Sequence, residues 1–153
     1  MEGIILAGGF GTRLLPLTKI TNKHLLPIYN KPMIYYPIEF LTKNGIQEIT
    51  IVSGGEHIGD FMKLLGSGKD LGVTFNYVVQ DGAGGIPVAI HLAEHFIRNE
   101  KFIVVLGDNV AIGDIRKEIE VFKKGSKGAK IFLKKVSNPE HFGVVEVKNN
   151  KIV

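Results

Sequence analysis

The chain has 153 residues, of which 44% are hydrophobic and 22% are charged, and its formal net charge is +4 at pH 7. This length suits one domain with its own core, or one lobe of a larger protein. The absence of cysteine excludes disulfides and thiolate metal sites and is typical of a cytoplasmic protein. No apolar stretch is long enough to span a membrane, so we expect no membrane contact. The positive charge favours anionic partners, which include nucleotides and sugar phosphates as well as nucleic acid.

The first predicted element is a buried strand over residues 4–7, an unbroken apolar run bounded by glycines. It is followed directly by Gly8, Gly9 and Gly11. Glycines allow the backbone to approach a ligand closely and to direct its N–H groups at an anion. Arg13 adds a planar guanidinium group that matches phosphate oxygens. The sequence therefore predicts a site for a phosphorylated ligand at the end of the first strand.

The rest of the chain alternates between strand and helix patterns. Residues 12–31 show no clear period, and long loops in compact domains are commonly functional. We predict strands over residues 48–52, 73–79, 102–106, 129–136 and from 143 to 147, and helices over 57–65, 86–98 and 115–123. We predict an amphipathic helical segment over residues 32–43 with Gly45 as its C-terminal cap. Pro37 should kink or divide this segment. Asn149 and Asn150 are typical of a hairpin turn.

This alternation predicts an α/β fold, namely a Rossmann-like three-layer α/β/α arrangement with a mainly parallel sheet. We expect the sheet to be incomplete at its C-terminal side, within a single domain over residues 1–153. In parallel sheets, ligands bind outside the carboxyl ends of the strands. The glycine loop, Gln80 and Asp108 each follow or end a predicted strand. They are therefore expected to converge on one site.

The glycine loop alone does not fit the common phosphate-binding motifs. A dinucleotide fingerprint needs a third glycine where this sequence has Leu14, and the Gly-Lys-Ser/Thr of a Walker loop is absent. The longer pattern resembles the N-terminal signature of sugar-1-phosphate nucleotidyltransferases, most closely the glucose-1-phosphate thymidylyltransferases. It comprises Leu6-Ala7-Gly8-Gly9-x-Gly11-Thr12-Arg13-Leu14, Lys23-x-Leu25-Leu26-Pro27, Lys31-Pro32-Met33-Ile34-Tyr35-Tyr36-Pro37, Leu106-Gly107-Asp108-Asn109 and Phe142-Gly143-Val144-Val145-Glu146.

The resemblance implies Mg²⁺-dependent transfer of a nucleotidyl group from a nucleoside triphosphate, expected to be dTTP, to a sugar 1-phosphate, expected to be glucose 1-phosphate. It implies Arg13, Lys23 and Asp108 as catalytic residues, with Asp108 as the ligand of Mg²⁺. The glycine loop would contact the nucleotide, Gln80 and Gly85 the base, and Gly143 the sugar. The implied substrate-binding set is Gly8, Gly11, Thr12, Arg13, Lys23, His24, Gln80, Gly85, Asp108 and Gly143. As partners it implies the two substrates, with neither nucleic acid nor membrane, and a homo-oligomer for the full-length form.

Three departures leave the base preference open between thymine and uracil. His24 stands where the closest family members have glutamine, Asn30 replaces an aspartate, and Pro87-Val88 replaces an alanine-glutamine pair. A uridylyltransferase is therefore one alternative, and a catalytically incompetent nucleotide-binding or regulatory fragment is another. The family pattern continues beyond Val153, with a sugar-binding Glu-Lys-Pro segment and a second metal-binding aspartate. We therefore expect this chain to have little activity alone and to self-associate through an open sheet edge.

Two further patterns are interpreted as solvated surface. His91, Glu94 and His95 have the H-x-x-E-H spacing of a zinc hydrolase, but both histidines lie opposite the apolar stripe of the predicted helix. Lysines are concentrated at positions 123, 124, 127, 130, 134 and 135, with few aromatic residues between them. Such a stretch is more typical of a solvated face than of a nucleic-acid interface.

Overall fold

The computed structural model describes residues 1–82, 84–98, 100–125, 128–148 and 151–152. They form two compact units, Met1–Lys123 and Lys124–Val153, which are described separately. The strands are β1 (Glu2–Leu6), β2 (Pro27–Ile28), β3 (Lys31–Pro32), β4 (Glu48–Gly54), β5 (Thr74–Gln80), β6 (Phe102–Leu106), β7 (Val147–Lys148) and β8 (Lys151–Ile152). The α-helices are α1 (Tyr35–Lys43), α2 (Ile58–Leu65), α3 (Gly85–Leu92), α4 (Glu94–Ile97) and α5 (Arg116–Lys124). None of the helices that the structure describes is long and apolar enough to cross a membrane.

The first unit is built on a four-stranded parallel sheet with the strand order β5-β4-β1-β6. Leu6 at the end of β1 lies opposite Val52 in β4 and Leu106 in β6. Gly54 at the end of β4 lies opposite Gln80 at the end of β5. The predicted parallel sheet is confirmed, and its in-register pairing brings the carboxyl ends of these strands to one edge.

Helices cover both faces of this sheet, which confirms the three-layer arrangement. Neighbouring residues in β1 point to opposite faces, and both Ile4 and Ile5 are fully buried. The Ile5 face packs against apolar residues of α1, α2 and α5, which are Ile38, Leu41, Phe61, Leu65 and Ile119. The Ile4 face packs against Ala89, Ala93 and Ile97, from α3 and α4 and the turn between them. Burial on both faces explains the continuous apolar runs in the sequence.

The helix predicted to begin at residue 32 begins instead at Tyr35, and the prediction of a kink at Pro37 is wrong. Pro37 lies in the first turn of α1, where its missing N–H breaks no helical hydrogen bond. The predicted ending is confirmed. Gly45 has a φ of 82°, and its N–H donates to Thr42 O while Ile46 N–H donates to Leu41 O. These are the two hydrogen bonds of a Schellman ending.

The single helix predicted over residues 86–98 is wrong, because α3 and α4 are separated at Ala93. Ala93 N–H donates to Ile90 O at 3.1 Å, so a tighter turn replaces the α-helical ladder there. Ala93 is fully buried against the sheet, whereas Ile86, predicted on the buried face, is 50% exposed. The helix thus divides at a residue whose small side chain is packed against the sheet.

In the second unit, the strand predicted over residues 129–136 is not formed, and residues 143–146 are not strand either. Three apolar residues of this segment are each about half exposed, namely Ile131, Phe132 and Leu133. The apolar pattern was therefore not sufficient for a strand, because a strand also needs a neighbouring strand to pair with. Strand pairing in this unit is limited, among the residues described, to β7 with β8 in antiparallel register. The predicted turn at Asn149 and Asn150 lies outside the described residues, as does Lys127 of the lysine stretch. The other lysines of that stretch are exposed, as predicted.

Candidate active site

The segment after the glycine loop folds back onto that loop through three short 3₁₀ helices, Thr12–Leu14, Leu17–Lys19 and Lys23–Leu25. Thr18 Oγ1 donates a hydrogen bond to Gly11 O at 2.8 Å. Gly11 has a φ of 61°, and a Cβ at this position would lie 2.8 Å from Thr18 Cγ2 and 3.0 Å from Lys23 Cβ. Glycine is therefore required at position 11 both for its backbone conformation and for the close approach of Lys23.

Lys23 and Asp108 form an ion pair at the carboxyl edge of the sheet. Lys23 Nζ donates to Asp108 Oδ2 at 2.6 Å, and the two side chains are 22% and 39% exposed. Partial burial opposes ionisation of Asp108, but the hydrogen bond and charge of Lys23 outweigh it and hold the pKa of Asp108 below its ordinary value. The site therefore contains an ionised carboxylate and an ammonium group, both within reach of solvent.

Gln80 and Lys23 flank the glycine loop on two sides. A Cβ on Gly8 would lie 3.1 Å from Gln80 Oε1, and a Cβ on Gly9 would lie 3.5 Å from Lys23 Nζ. Gln80 is 9% exposed at the end of β5. The structure thus brings Gln80, Lys23 and Asp108 together beside the exposed backbone of Gly8. This agrees with the convergence predicted from their positions at or near the ends of strands.

The His24 side chain points away from this surface. It is 1% exposed, and its Nδ1 lies 2.6 Å from Asn22 Oδ1. Burial, and secondarily the charge of Lys23, lowers the pKa of His24 to about 4, so the ring is neutral at pH 7. Its predicted contact with substrate stays a prediction, and the burial of the ring does not favour it.

Three predicted residues of the first unit, Thr12, Arg13 and Gly85, contribute no side chain to this cluster. Thr12 and Arg13 lie in the first 3₁₀ helix and are exposed. Arg13 has no side-chain hydrogen bond or ion pair among the residues described. Gly85 begins α3 with a φ of 69°, and Gly143 belongs to the second unit. The roles predicted for these residues stay predictions.

Comparison with known proteins shows the family. The model of the family described as Nucleotidyl transferase matches residues 2–153. The chain belongs to this family. It is 44% identical over 151 residues to a glucose-1-phosphate thymidylyltransferase of Neisseria meningitidis serogroup A, covering 98% of this chain and 52% of that protein. It is 43% identical over 147 residues to the enzyme of the same name from Mycobacterium tuberculosis, covering 95% of this chain and 51% of that protein. The chain thus spans about half the length of these curated relatives.

Two solved structures resemble this nucleotidyl transferase chain. One is a Bacillus anthracis protein described as a glucose-1-phosphate thymidylyltransferase, in complex with a sucrose. It has a TM-score of 0.95 and 50% identity, covering all of this chain and 62% of that one. The other is a UDP-glucose pyrophosphorylase complexed with UDP-glucose, with a TM-score of 0.68 and 29% identity, covering 80% of this chain and 53% of that one. The predicted family resemblance is confirmed.

Sequence reasoning missed Asn22 in this candidate site. Asn22 is 4% exposed, and its Nδ2 donates to Ala7 O at 3.1 Å, just before the glycine loop. Ser53 Oγ donates to the same carbonyl at 3.3 Å. The available signal was local, since asparagine is a preferred N-cap residue and Asn22 directly precedes the 3₁₀ helix that contains Lys23.

The zinc-hydrolase interpretation of the H-x-x-E-H spacing gains no support. His91 Nδ1 lies 3.1 Å from Glu94 Oε2, and these side chains are 78% and 65% exposed. The break at Ala93 places His91 in α3 and His95 in α4. No group of three metal-ligating side chains occurs among the described residues. The exposure of His91 and Glu94 agrees with the interpretation as solvated surface.

Asp108 has the chemistry that a magnesium ion requires from a single protein ligand. Mg²⁺ is commonly held by one or two carboxylates and completes its octahedron with water and substrate phosphates. Asp108 offers an ionised, partly exposed carboxylate at the edge of the glycine loop. Its present partner is the Lys23 ammonium group, so a bound cation would share or replace that contact. The donor chemistry therefore fits Mg²⁺ together with a phosphorylated substrate.

Proposed function

We propose that the protein transfers a nucleotidyl group from dTTP to glucose 1-phosphate, giving dTDP-glucose and pyrophosphate. The observation that carries this proposal is the Lys23–Asp108 pair, at 2.6 Å, beside the exposed backbone of Gly8 and Gly9. An ammonium group, a carboxylate and unblocked backbone N–H groups at a strand end are suited to a triphosphate. The named relatives at 44% and 43% identity support the choice of these two substrates.

The reaction needs no protein nucleophile. A phosphate oxygen of glucose 1-phosphate attacks the α-phosphorus of dTTP and forms the new P–O bond. The bond from that phosphorus to the oxygen bridging to the β-phosphate breaks, and the electron pair leaves with pyrophosphate. Catalysis of this displacement consists of holding two polyanions in line and stabilising the charge on the equatorial oxygens.

In this proposal Lys23 performs the central electrostatic task. Its ammonium group lies next to the glycine loop, where it would contact both phosphate groups and stabilise the developing charge on the α-phosphoryl oxygens. Arg13, exposed and without a side-chain partner among the residues described, is available to bind the β- and γ-phosphates. Its guanidinium group would favour pyrophosphate departure.

In this proposal Gln80 recognises the base. Its amide both donates and accepts hydrogen bonds, which matches the imide edge of thymine or uracil. The side chain lies beside Gly8 with little exposure. Gly85, with its positive φ, would allow the backbone at the start of α3 to approach the same base.

Mg²⁺ belongs to this proposal, with Asp108 as its protein ligand. When bound, the ion neutralises phosphate charge and orients the triphosphate. Asp108 then contributes a carboxylate that is already ionised, because Lys23 holds its pKa low. Since nucleoside triphosphates supply the nucleotidyl group, a cytoplasmic location is part of the same proposal.

The proposal is tested by measuring dTTP binding by equilibrium dialysis and pyrophosphate release in the presence of glucose 1-phosphate and MgCl₂. We expect saturable dTTP binding and a low but measurable rate of pyrophosphate release that depends on the sugar phosphate. Lys23→Met should reduce release by about 10²–10³-fold, the loss typical of one transition-state contact. Lys19→Met, at an exposed position of the same loop, is the control and should change it little. Failure to bind any nucleoside triphosphate would contradict the proposal.

Two alternatives are separated by the same measurements. The similarity to a UDP-glucose pyrophosphorylase favours a uridylyltransferase as the second candidate, because the imide edge of uracil matches that of thymine. A higher kcat/KM for UTP than for dTTP would establish that alternative. Saturable dTTP binding without any pyrophosphate release would instead identify a nucleotide-binding or regulatory module.

A further inference from the structure

We propose that Asn22 and His24 form a buried positioning pair that holds the intervening Lys23 in register with the glycine loop and Asp108. The catalytic consequence of this pair rests on the proposed function, whereas its effect on the geometry of Lys23 does not. Neither side chain reaches the exposed face of the site, since they are 4% and 1% exposed. They therefore act through Lys23 and are positioning residues.

Asn22 connects the lysine to the end of β1. Its Nδ2 donates to Ala7 O at 3.1 Å, and Ala7 directly precedes Gly8 and Gly9. Its Oδ1 accepts a hydrogen bond from His24 N at 3.0 Å and lies 2.6 Å from His24 Nδ1. One amide thus joins the first strand, the backbone after Lys23 and the His24 ring.

His24 connects the lysine to the end of β6. The ring packs so closely under Gly107 that a Cβ there would lie 2.7 Å from His24 Cδ2. Gly107 is itself tied to β1, because its N–H donates to Leu6 O at 2.8 Å, and it directly precedes Asp108. His24 O in turn accepts a hydrogen bond from Ile34 N at 2.9 Å.

These contacts fix the backbone on both sides of Lys23 relative to the ends of β1 and β6. The glycine loop follows the first of these strands, and Asp108 follows the second. Lysine is a flexible four-carbon chain with a point charge and has no planar group to orient it. A fixed backbone limits the positions that Nζ can reach and favours those near Asp108 and Gly9. Because displacement of about 1 Å can reduce a reaction rate by about 10²-fold, the pair is expected to influence kcat more than nucleotide affinity.

The first test does not depend on activity. Acetic anhydride labels accessible amines. Lys23 is 22% exposed and its Nζ is hydrogen-bonded to Asp108, so it should be acetylated more slowly than the exposed Lys19 in the same molecule. Mass spectrometry of the intact chain's peptides measures this ratio. We expect the Lys23 to Lys19 ratio to rise at least threefold in Asn22→Ala and in His24→Ala, and to stay near wild type in His24→Gln, whose side-chain amide can still meet Asn22.

Asn44→Ala is the matched control. Asn44 is also 4% exposed, and its amide likewise joins two chain segments, donating to Phe40 O and Gly113 O and accepting from Ile115 N. Its replacement should lower Tm as Asn22→Ala does, without changing the Lys23 acetylation ratio. If Asn22→Ala lowers Tm but leaves that ratio at the Asn44→Ala value, the pair has only a structural role and the proposal is overturned. If Asn22→Ala does not fold, the acetylation ratios of His24→Ala and His24→Gln test the proposal instead. A ratio in His24→Ala that stays at the Asn44→Ala value would overturn it.

The second test is the division between kcat and KM for pyrophosphate release from dTTP and glucose 1-phosphate. We expect Asn22→Ala to lower kcat by about 10–100-fold while KM for dTTP changes less than about threefold. An equal effect of Asn44→Ala, or an effect confined to KM, would contradict a positioning role. A wild-type chain without turnover would overturn the proposed function alone, and the acetylation ratio would still decide on the positioning pair.

Discussion

Lys23 Nζ and Asp108 Oδ2 are 2.6 Å apart although the two residues are separated by 85 positions in the chain. Lys23 lies in a 3₁₀ turn of the loop after β1, and Asp108 follows the end of β6. The contact exists because β1 and β6 pair in parallel register, which brings both chain segments to the same edge. One cation and one anion are thereby held at the point where the proposed function would bind a polyphosphate and its metal ion.

The first prediction concerns Asp108→Asn. The amide preserves the shape of the side chain but removes the negative charge that would bind Mg²⁺ and that pairs with Lys23. We expect the rate of pyrophosphate release to fall by about 10²-fold or more, and its half-maximal Mg²⁺ concentration to rise. A Mg²⁺ titration of the rate measures both changes, with Asp70→Asn, at an exposed position of another 3₁₀ helix, as the control. An unchanged Mg²⁺ dependence would exclude Asp108 as the ligand.

The second prediction concerns base recognition by Gln80. Gln80→Met keeps a side chain of similar length beside Gly8 but cannot form hydrogen bonds with the base. We expect dTTP and UTP affinity to fall by about tenfold, which corresponds to the loss of one to two neutral hydrogen bonds. Inorganic triphosphate, which has no base, should compete for the site equally well in both proteins. Equal dTTP affinity of the variant and the wild type would show that Gln80 does not contact the base.

The third prediction contrasts two glycine-to-alanine substitutions. At Gly107 a Cβ would lie 2.7 Å from His24 Cδ2 and 3.0 Å from Leu6 O, so Gly107→Ala should destabilise the fold by about 1–3 kcal/mol through overpacking. At Gly59, within α2, a Cβ would meet nothing within 4 Å. Gly59→Ala should therefore stabilise the protein by about 0.5–1 kcal/mol. Urea unfolding measures both, and equal effects of the two substitutions would contradict the described packing at Gly107.

The fourth prediction concerns the pH dependence of stability and arises at the opposite edge of the sheet. Glu2 is 7% exposed, and its Oε2 is buried without a hydrogen-bond partner. Burial, followed by the nearby charge of Glu48, raises the pKa of Glu2 above its ordinary value of 4.5. The folded state therefore binds this proton more tightly than the unfolded state does. The stability that it contributes is present below pH 4.5 and is lost as the pH rises through the raised value.

Glu2→Gln tests this relationship because glutamine cannot ionise. We expect the variant to melt about 2–4 °C above the wild type at pH 7, a shift that corresponds to about 1 kcal/mol. The advantage should shrink at pH 4, where the Glu2 carboxyl group is protonated. Glu56→Gln, at an exposed position, serves as the control and should show no such pH dependence. A Glu2→Gln variant that is no more stable than the wild type at pH 7 would contradict the raised pKa.

Local sequence patterns predicted those elements whose structure depends mainly on their own residues. The apolar run at residues 102–106 predicted β6, whereas ligand binding by the glycine loop after β1 stays a prediction. The segment 129–136 has a comparable pattern but forms no strand, because a strand requires a partner that its own sequence cannot specify. The division of the helix at Ala93 also escaped prediction, because the apolar period runs on through this residue and does not mark a break.

The sequence by itself determined the family, the parallel sheet and the set of groups at its carboxyl edge, because strand periodicity and fixed motif spacing are properties of the chain. Only the tertiary structure decided how Lys23 is held. It paired the lysine with Asp108, and it buried His24 under Gly107 with Asn22 as its hydrogen-bond partner. Adjacent residues on an irregular loop have no period from which exposure can be predicted. Their direction is set by hydrogen bonds to strands that lie far away in the sequence.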